Sequence, residues 1–573
     1  MLTIKPLTTR GLFGWLLVGW VVINLLQATF TDLSNDEAYY ALWGQNLDWG
    51  YFDHPPMVAL FTFLSSLLAP GALGVRLMTV LAQALTLWLV WRLLEESGLK
   101  AISDSVLSFF IAAASLVMFA ALGFVTTPDV PLLLFAALFL LAYRRFLQRA
   151  NWVNLLLLSL SMAGMVYSKY QSALVIGFIV LSNPRLLLNF RFWLSGVLAL
   201  LLLAPHAYWQ YINDFPSFQY HLVARSAAFK WSYFLEYLPN QLAVFNPFTL
   251  GLVVYVLVKR RTADVFERGL RFLIVGFVLF FWIMAFRGHV EPHWTVVASL
   301  PMLILLVRAA AVQPRVKRFL HTWVLGSLGL VLLARVGLLI PAIAAKAHFY
   351  TTPTYKAIAA VAGDAPVVFG SSFQQPSLYT FHNGGLSTTV SSIHNRRTQF
   401  DLWQWERSLE GQRVFVCARV ESKSQVFTVG DQRIEGFFVE SFRATQRLVV
   451  STDLPESGVS APGDTLRAMV TVTNPYPYAV QADDSVMPVR VVPCLFKRKV
   501  KAVCEVVAGA AESVWAVPGE LNLAPGASVT APMVFVVPND LSAGTYNLTV
   551  TTEGLFGPAL GNRLHAWDVC IQN

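Results

Sequence analysis

The chain contains eleven long apolar runs, and they constrain its fold more than any other feature of the sequence. Runs of about 17–25 apolar residues have the length of a helix that crosses the hydrocarbon core of a bilayer. Only 13% of the 573 residues are charged, whereas soluble domains are about 25% charged. The sequence therefore predicts a mainly α-helical, multi-pass membrane protein. The predicted spans are 12–30, 73–94, 104–124, 129–147, 151–168, 171–183, 192–210, 241–258, 270–286, 294–311 and 319–341.

The basic residues between these runs fall mainly in alternate loops, and this pattern predicts the orientation. Lysine and arginine are enriched in the cytoplasmic loops of multi-pass proteins. The net charge of +9 is thus explained by anchoring rather than by nucleic-acid binding. Because the number of predicted spans is odd, everything after about residue 341 is expected outside, in the periplasm of a bacterium. The expected localisation is the bacterial inner membrane, with the C-terminal part periplasmic.

The C-terminal part has a different composition and is expected to form two further domains. Residues 345–453 mix strand-like runs with helix-like pieces, which predicts a small α/β domain after a membrane domain at 1–344. In residues 454–573 alternating runs are separated by Asn-Pro and Pro-Gly turn signals. That pattern is typical of a β-sandwich resembling an immunoglobulin-like module. All four cysteines lie beyond residue 341, as expected where disulfides form, and Cys494 and Cys504 are candidates to close a hairpin.

The most unusual polar clusters of the chain all fall on the predicted outer side of the membrane. Ionisable residues in such positions are functional candidates by default. A carboxylate near an acceptor hydroxyl, with a cation near a leaving phosphate, is the arrangement that transfer of a sugar from a phosphate needs. The candidate catalytic residues are Asp36, Glu37 and Asp129, and the candidate substrate-binding residues are His54, Lys169, Tyr170, Arg225, Arg287, His289, Glu291 and His293.

Each of these residues also has an ordinary structural interpretation, which stays open at this point. Asp36 and Asp129 could simply cap helices, because aspartate is favoured at helix starts and interacts well with the helix dipole. Lys169 could be an interface anchor at a helix end. If the stretch 289–293 is extended, His289, Glu291 and His293 alternate onto one side and could hold a divalent metal or a phosphate. The sequence establishes no cofactor, and the metal remains an alternative.

Five short motifs occur in order along the predicted outer side: Asp36-Glu37-Ala38-Tyr39-Tyr40, Asp53-His54-Pro55-Pro56, Thr127-Pro128-Asp129, Ser168-Lys169-Tyr170 and Glu291-Pro292-His293-Trp294. Together they resemble the polytopic glycosyltransferases of the GT-C fold. The most similar group is the superfamily of aminoarabinose transferases and dolichyl-phosphate-mannose protein mannosyltransferases. The resemblance covers roughly residues 10–345 and continues more weakly to about 450.

This resemblance implies a transferase that uses a polyprenyl-phosphate-linked sugar at the periplasmic face. The family's acidic residue in the first outer loop maps to Asp36, and the one after the third helix maps to Asp129. Asp36 is then the expected group for acceptor activation, with Asp129 in support and Glu37 secondary. Lys169, Arg225 and His54 are expected to hold the donor phosphate. His54 departs from the lysine that is common before the two prolines, so sugar and acceptor cannot be transferred from the family.

The sequence thus favours an inverting membrane glycosyltransferase that modifies a lipid or glycan of the cell envelope, such as lipopolysaccharide. Its expected partners are a polyprenyl-phosphate-linked sugar, a lipid or glycan acceptor and the bilayer. One alternative is a carrier or flippase for lipid-linked saccharides, for which ionisable residues near mid-membrane and inverted repeats are expected. Another is a glycan-binding envelope protein anchored by its helices. The chain has no Walker-type glycine loop and no GxGxxG or GxSxG motif, so nucleotide-driven transport and hydride transfer lack support.

Overall fold

A computed structural model describes the chain apart from several short segments. The described residues are 8–100, 102–221, 230–390, 397–420, 423–454, 457–481, 484, 486–498, 504–508, 514–515, 522–541, 544–559 and 567–571. The chain divides into two compact units. The first comprises Met1–Gln219 and Phe229–Thr351, and the second comprises Tyr220–Ala228 and Thr352–Asn573.

The first unit is helical throughout its described residues. Its α-helices are α1 Thr9–Phe30, α2 Asn35–Gln45, α3 Met57–Ser66, α4 Leu73–Glu96, α5 Ser103–Ser115, α6 Val117–Ala121, α7 Asp129–Gln148, α8 Trp152–Ser168, α9 Ser172–Ser182, α10 Phe190–Leu202, α11 Ala204–Ile212, α12 Pro216–Gln219, α13 Trp231–Phe245, α14 Pro247–Lys259, α15 Val265–Met284, α16 Ser299–Val312, α17 Pro314–Phe319, α18 Leu325–Gly337 and α19 Pro341–Lys346. Two 3₁₀ helices, Pro184–Leu188 and Pro292–Ala298, and one π-helical turn, Leu320–Val324, complete the unit.

Several of these helices are long and apolar enough to cross a membrane. Among the described residues there are five, or seven if each of two bent helix pairs counts as one span. The predicted run 192–210 is bent by 47° between α10 and α11, and the run 241–258 is bent by 98° between α13 and α14. Prolines explain both breaks, since each second helix has Pro at its start, where proline is tolerated, whereas it breaks a helix interior. The sequence therefore predicted apolar helices and missed these two breaks, and the count of eleven spans stays a prediction.

The 98° bend depends on the conformation of one residue. Asn246 separates α13 from α14 with φ of +64°, a conformation that asparagine adopts more readily than most residues. Its side-chain oxygen accepts from the backbone N–H of Phe248, and its amide donates to Ser327 Oγ at 2.7 Å. Asn246 thus caps the second helix while its amide holds the bend against α18.

Helices α7 and α8 form an antiparallel pair, and a glycine allows their close approach. A Cβ atom at Gly164 of α8 would lie 2.3 Å from the ring of Phe135 on α7. Such a distance is far below van der Waals contact, so any larger residue would push the helices apart. This pairing brings the start of α7 and the end of α8 to the same end of the bundle.

The second unit begins with a mixed α/β layer. Its strands are β1 Val367–Phe369, β2 Ser387–Thr389, β3 Val414–Cys417, β4 Gln425–Val429 and β5 Gln432–Val439, and its helices are α20 Thr352–Ala362, α21 Gln374–Asn383 and α22 Gln399–Trp403, with a 3₁₀ helix at Trp405–Leu409. The sheet order is β2-β1-β3-β5-β4, with β1 parallel to β2 and β3 and with β5 antiparallel to β3 and β4.

The rest of the second unit is strand-rich. Its strands are β6 Val449–Thr452, β7 Ser457–Ser460, β8 Thr465–Thr473, β9 Val480–Gln481, β10 Arg490–Arg498, β11 Cys504–Ala508, β12 Val514–Trp515, β13 Asn522–Leu523, β14 Ser528–Val536, β15 Gly544–Gly554, β16 Gly557–Pro558 and β17 Trp567–Ile571. They form a six-stranded sheet in the order β11-β10-β15-β17-β7, with β16 paired to β15, a four-stranded sheet β12-β14-β8-β6 and the pair β13-β9. One buried apolar cluster, from Val368 to Val550, runs through both parts. The expected boundary near residue 453 stays a prediction.

The structure corrects the expected disulfide of this region. Strands β10 and β11 are antiparallel, so the hairpin is present, but Cys504 lies opposite Arg498 rather than opposite Cys494. Cys494 is buried and its thiol is free, and so is the thiol of Cys417. The spacing of ten residues identified neighbouring strands without fixing their register.

Candidate functional site

A buried ion pair lies where α7 begins and α8 ends. Lys169 Nζ donates to both carboxylate oxygens of Asp129, at 2.9 and 2.8 Å. Both residues are buried, with 7% and 1% of their surfaces exposed. Asp129 occupies the first turn of α7, where the helix dipole favours a negative charge. Two candidates 40 positions apart are thus in direct contact.

Glu37 is the centre of a second buried ion pair. Its carboxylate binds Arg76 of α4 through two bonds of 2.7 Å, and both side chains are 0% exposed. It also accepts from the backbone N–H and hydroxyl of Ser34, as in a capping box, and from the backbone N–H of Thr126. The side chain therefore ties the start of α2 to α4 and to the loop before α7. With both oxygens engaged, Glu37 is placed to position this end of the bundle.

The charges of three carboxylates act on one buried phenol. Burial raises the pKa of Tyr40 well above its usual value, and the negative charges of Asp36, Asp53 and Asp129 raise it further. These carboxylates come from the start of α2, the loop before α3 and the start of α7. Asp36 is exposed, whereas Asp53 is 7% exposed. The structure thus brings Asp36 and Asp129 into one electrostatic environment and adds Asp53 and Tyr40, which were not among the candidate residues.

His54 lies beside the same aromatic group. Its ring centroid is 6.1 Å from that of Tyr40 and 6.4 Å from that of Trp43. Trp43 stacks on Tyr51 at 4.3 Å with the rings nearly parallel. This buried stack fixes the loop that carries Asp53 and His54. His54 therefore lies near Tyr40, and its expected contact with the donor phosphate stays a prediction.

Tyr170 belongs to a hydrogen-bond network that sequence reasoning missed. Its hydroxyl lies 3.0 Å from His206 Nε2 and accepts from Gln210 at 2.8 Å. The other ring nitrogen of His206 lies 2.6 Å from the carbonyl oxygen of Trp49. Burial raises the pKa of Tyr170, and the charge of Asp53 adds to this shift. The network thus holds the loop between α2 and α3 against α11.

The candidates after α15 are only partly gathered at the site. His293 Nε2 lies 3.9 Å from Asp129, while His289 Nε2 lies 3.6 Å from Glu291. The expected alternation is wrong at His293, because a 3₁₀ helix begins at Pro292 and ends the extended backbone. Arg287 and His289 are exposed. His293 therefore lies near the buried Asp129–Lys169 pair, whereas His289 and Glu291 form a separate pair outside it.

Two further expectations concern Arg225 and a bound metal ion. Arg225 lies outside the described residues, so its predicted phosphate-binding role stays a prediction. Within the described part of the chain, three or more His, Cys, Asp or Glu side chains nowhere cluster closely enough to hold a metal ion.

The arrangement is suited to polar chemistry on an anionic substrate at one end of the bundle. Asp36 is an exposed carboxylate, whereas Asp53 and Asp129 are buried, and the charges of all three act on Tyr40. Lys169 and His293 provide positive charge or hydrogen-bond donors near Asp129. Such a pairing of acids with donors is what proton removal and stabilisation of a leaving anion require.

Comparison with known proteins gives consistent matches. The family model of dolichyl-phosphate-mannose-protein mannosyltransferases matches residues 53–209. The lipid A galacturonosyltransferase RgtD of Rhizobium johnstonii is 26% identical over 304 residues, or 50% of this chain. The chain spans only 62% of the length of that relative.

Two crystal structures of ArnT from Cupriavidus metallidurans share the fold, each with a TM-score of 0.53. One is in the apo state and the other is bound to undecaprenyl phosphate; they are 13% and 14% identical to the chain. Each match covers 74% of this chain, and 97% and 98% of those chains. The resemblance seen in the five motifs is therefore confirmed: the chain shares the fold of these structures and is similar to polytopic glycosyltransferases.

Proposed function

We propose that this protein transfers a sugar from a polyprenyl-phosphate-linked donor to a lipid or glycan acceptor. The observation that carries the proposal is the convergence of Asp36, Asp53 and Asp129 on Tyr40, with Lys169 bound to Asp129. The named relatives support it, because one is a lipid A galacturonosyltransferase and another binds undecaprenyl phosphate. A lipid-linked donor also suits a centre built on the ends of apolar helices.

The proposed reaction is a single displacement at the anomeric carbon. The acceptor hydroxyl oxygen forms the new bond while the bond between the anomeric carbon and the phosphate oxygen breaks, so the configuration is inverted. Polyprenyl phosphate leaves with the electron pair, and the hydroxyl proton passes to a carboxylate. Asp36 is the proposed base, since it is the exposed member of the group and a substrate hydroxyl can reach it.

The leaving phosphate needs positive charge or donors close by. Lys169 is a buried cation of the site, and its two hydrogen bonds to Asp129 fix the position of the ammonium. His54 and Arg225 are the other proposed phosphate ligands. We assign Asp129 to hold Lys169 and Glu37 to hold α2 against Arg76, so neither is the proposed base. Tyr170, Arg287, His289, Glu291 and His293 remain proposed substrate contacts.

The finer topology belongs to the same proposal. With about eleven spans, the ends of the helices that carry Asp36, Asp129 and Lys169 face the periplasm of a bacterial inner membrane. The arginines at the opposite ends then face the cytoplasm, as the distribution of positive charge in such proteins requires. The second unit is then periplasmic, where it can contact an acceptor glycan.

Transfer by the purified protein tests the proposal. The full chain is reconstituted with a panel of polyprenyl-phosphate hexoses, pentoses and amino sugars and with envelope lipid from a deletion strain. We expect one donor to be consumed, with free polyprenyl phosphate and a heavier lipid or glycan as products by mass spectrometry. Lys169→Ala should abolish this release, whereas Arg149→Gln, an exposed arginine at the other end of α7, should not. Full turnover by Lys169→Ala, or no consumption of any donor, contradicts the proposal.

A further inference from the structure

A second charged cluster lies at the opposite end of the helix bundle from the candidate site. Asp129 and Arg144 are 15 residues apart on α7, which corresponds to roughly 22 Å along the helix axis. Four helices, α7, α14, α15 and α16, bring their charged residues together at that end. We call this set the arginine cluster: Arg144, Arg260, Asp264, Glu267, Arg271 and Arg308.

The cluster is held by ion pairs around two carboxylates. Glu267, 0% exposed, lies 3.4 Å from Arg260, 3.2 Å from Arg271 and 3.7 Å from Arg308. Asp264 lies 3.6 Å from Arg144 and 3.3 Å from Arg308. The four guanidinium side chains are only 13–19% exposed. Four positive charges against two negative ones leave an excess of two in a largely desolvated place.

The hydrogen-bond inventory of the cluster shows the same imbalance. Four guanidinium nitrogens have no acceptor among the described residues: Nε of Arg144, Nη1 of Arg260, Nε of Arg271 and Nη1 of Arg308. One buried acceptor of the cluster, Glu267 Oε2, has no donor, so unpartnered donors outnumber unpartnered acceptors. A buried donor without an acceptor destabilises the fold, and more so when it is charged. Arg271 also donates to the carbonyl oxygens of Leu257 and Arg260 at the end of α14. The end of α14 therefore has hydrogen-bond partners, whereas the excess positive charge of the arginine cluster still needs an explanation.

A phosphate group fits this excess. Guanidinium groups bind phosphate oxygens through paired hydrogen bonds, and a phosphodiester adds one negative charge and several acceptors. The cluster lies where α7, α14 and α16 end and α15 begins, and in the proposed topology this is the depth of lipid headgroups. Basic pockets between helix ends are known to hold the headgroups of anionic phospholipids. Exposed Lys259, Arg261 and Arg268 flank the cluster in sequence and extend its positive field.

We propose that the arginine cluster binds the phosphate of an anionic phospholipid headgroup at the face opposite the candidate active site. The site is independent of the proposed sugar transfer, because none of its residues contacts the Asp129–Lys169 pair. Its bound lipid supplies negative charge to the junction of α7, α14, α15 and α16 and so stabilises the bundle at this end.

Native mass spectrometry of the full chain with defined lipids tests the site. We expect phosphatidylglycerol to be retained and phosphatidylcholine not to be. Arg144→Gln/Arg260→Gln should weaken retention, by about fivefold for each lost basic residue. Arg149→Gln, which removes one positive charge from an exposed position of the same region, should leave retention unchanged.

Two further arms separate the possible outcomes. Inorganic phosphate at millimolar concentration should not displace the lipid from the wild-type protein, because the headgroup is held together with its acyl chains. If phosphate binds as well as the lipid, or if Arg149→Gln lowers retention as much as the double variant, the proposal is wrong. The single variant Arg144→Gln, on the most exposed of the four arginines, provides the same comparison if the double variant does not fold.

Discussion

Lys169 binds both carboxylate oxygens of Asp129, across 40 positions of the chain and at the meeting point of α7 and α8. Because the pair is buried, removing one partner leaves an uncompensated charge, whereas removing both does not. Lys169→Ala should therefore lower stability by about 3–5 kcal/mol. Thermal unfolding of the detergent-solubilised chain measures this loss.

The double variant separates stability from chemistry. Asp129→Ala/Lys169→Ala should recover much of the stability that Lys169→Ala loses, because no buried charge remains. It should still be inactive in sugar transfer, since the cation for the leaving phosphate is missing. A double variant that is both stable and active would show that the pair is only structural.

Glu37 is expected to act by holding Arg76 rather than by exchanging protons. Glu37→Gln keeps the shape but removes the charge opposite a fully buried guanidinium, so stability should fall by about 3–5 kcal/mol. Per folded molecule, the turnover and its pH profile should be close to those of the wild type. A well-folded Glu37→Gln protein that has lost the acidic limb of the profile would instead identify Glu37 as the base.

Tyr40 should stay protonated throughout the working pH range of the enzyme. Burial and the three carboxylates raise its pKa above the usual value near 10. Because the pKa of Tyr40 is higher in the folded than in the unfolded chain, its contribution to the free energy of unfolding is complete below pH 10. This contribution is lost only as the pH rises beyond that value. The pH profiles of wild type and Tyr40→Phe should thus have the same basic limb below pH 9. A basic limb that disappears in Tyr40→Phe would contradict this account.

Two free thiols of the second unit, those of Cys417 and Cys494, should be nearly inert. Burial raises the pKa of Cys417 and of Cys494 to about 12, and the thiolate is the reactive form. Peptide mapping after maleimide treatment at pH 8 should show little labelling of either residue in the native chain and full labelling after denaturation. Their contribution to stability is present below pH 9 and is lost as the pH rises towards 12. Rapid native labelling at pH 8 would show that these sites open.

Much of the candidate site could be predicted from the sequence, because its residues stand in short local motifs and lie at the ends of helices. Asp129 and Lys169 begin and end neighbouring apolar runs, so reversal of the chain between the runs brings them together. Asp36 and His54 stand in short motifs between runs and reach the same place. His293 also follows an apolar run and lies near Asp129. The predicted alternation of His289, Glu291 and His293 onto one side is wrong, because a 3₁₀ helix begins at Pro292.

Two of the missed residues, Arg76 and His206, lie inside apolar runs, where hydropathy hides single polar side chains, whereas Asp53 and Tyr40 stand in the quoted motifs. Arg76 lies within the predicted span 73–94, and only the structure shows that its guanidinium binds Glu37. His206 lies within the predicted span 192–210, near the break that Pro205 causes. A proline followed by histidine at the end of an apolar run was the available signal. The register of β10 and β11 had no such signal, since alternation of side chains does not fix pairing.

The single-turnover rate of sugar transfer by Asp36→Asn, at saturating donor, tests the central claim most directly. Asparagine keeps the size of the side chain but cannot take the acceptor proton, so we predict a rate at least about 100-fold below wild type. Donor binding, measured separately with the labelled lipid, should be unchanged, because Asp36 is assigned to the acceptor. A wild-type rate in Asp36→Asn would contradict the proposed centre, and so would a loss explained entirely by weaker donor binding.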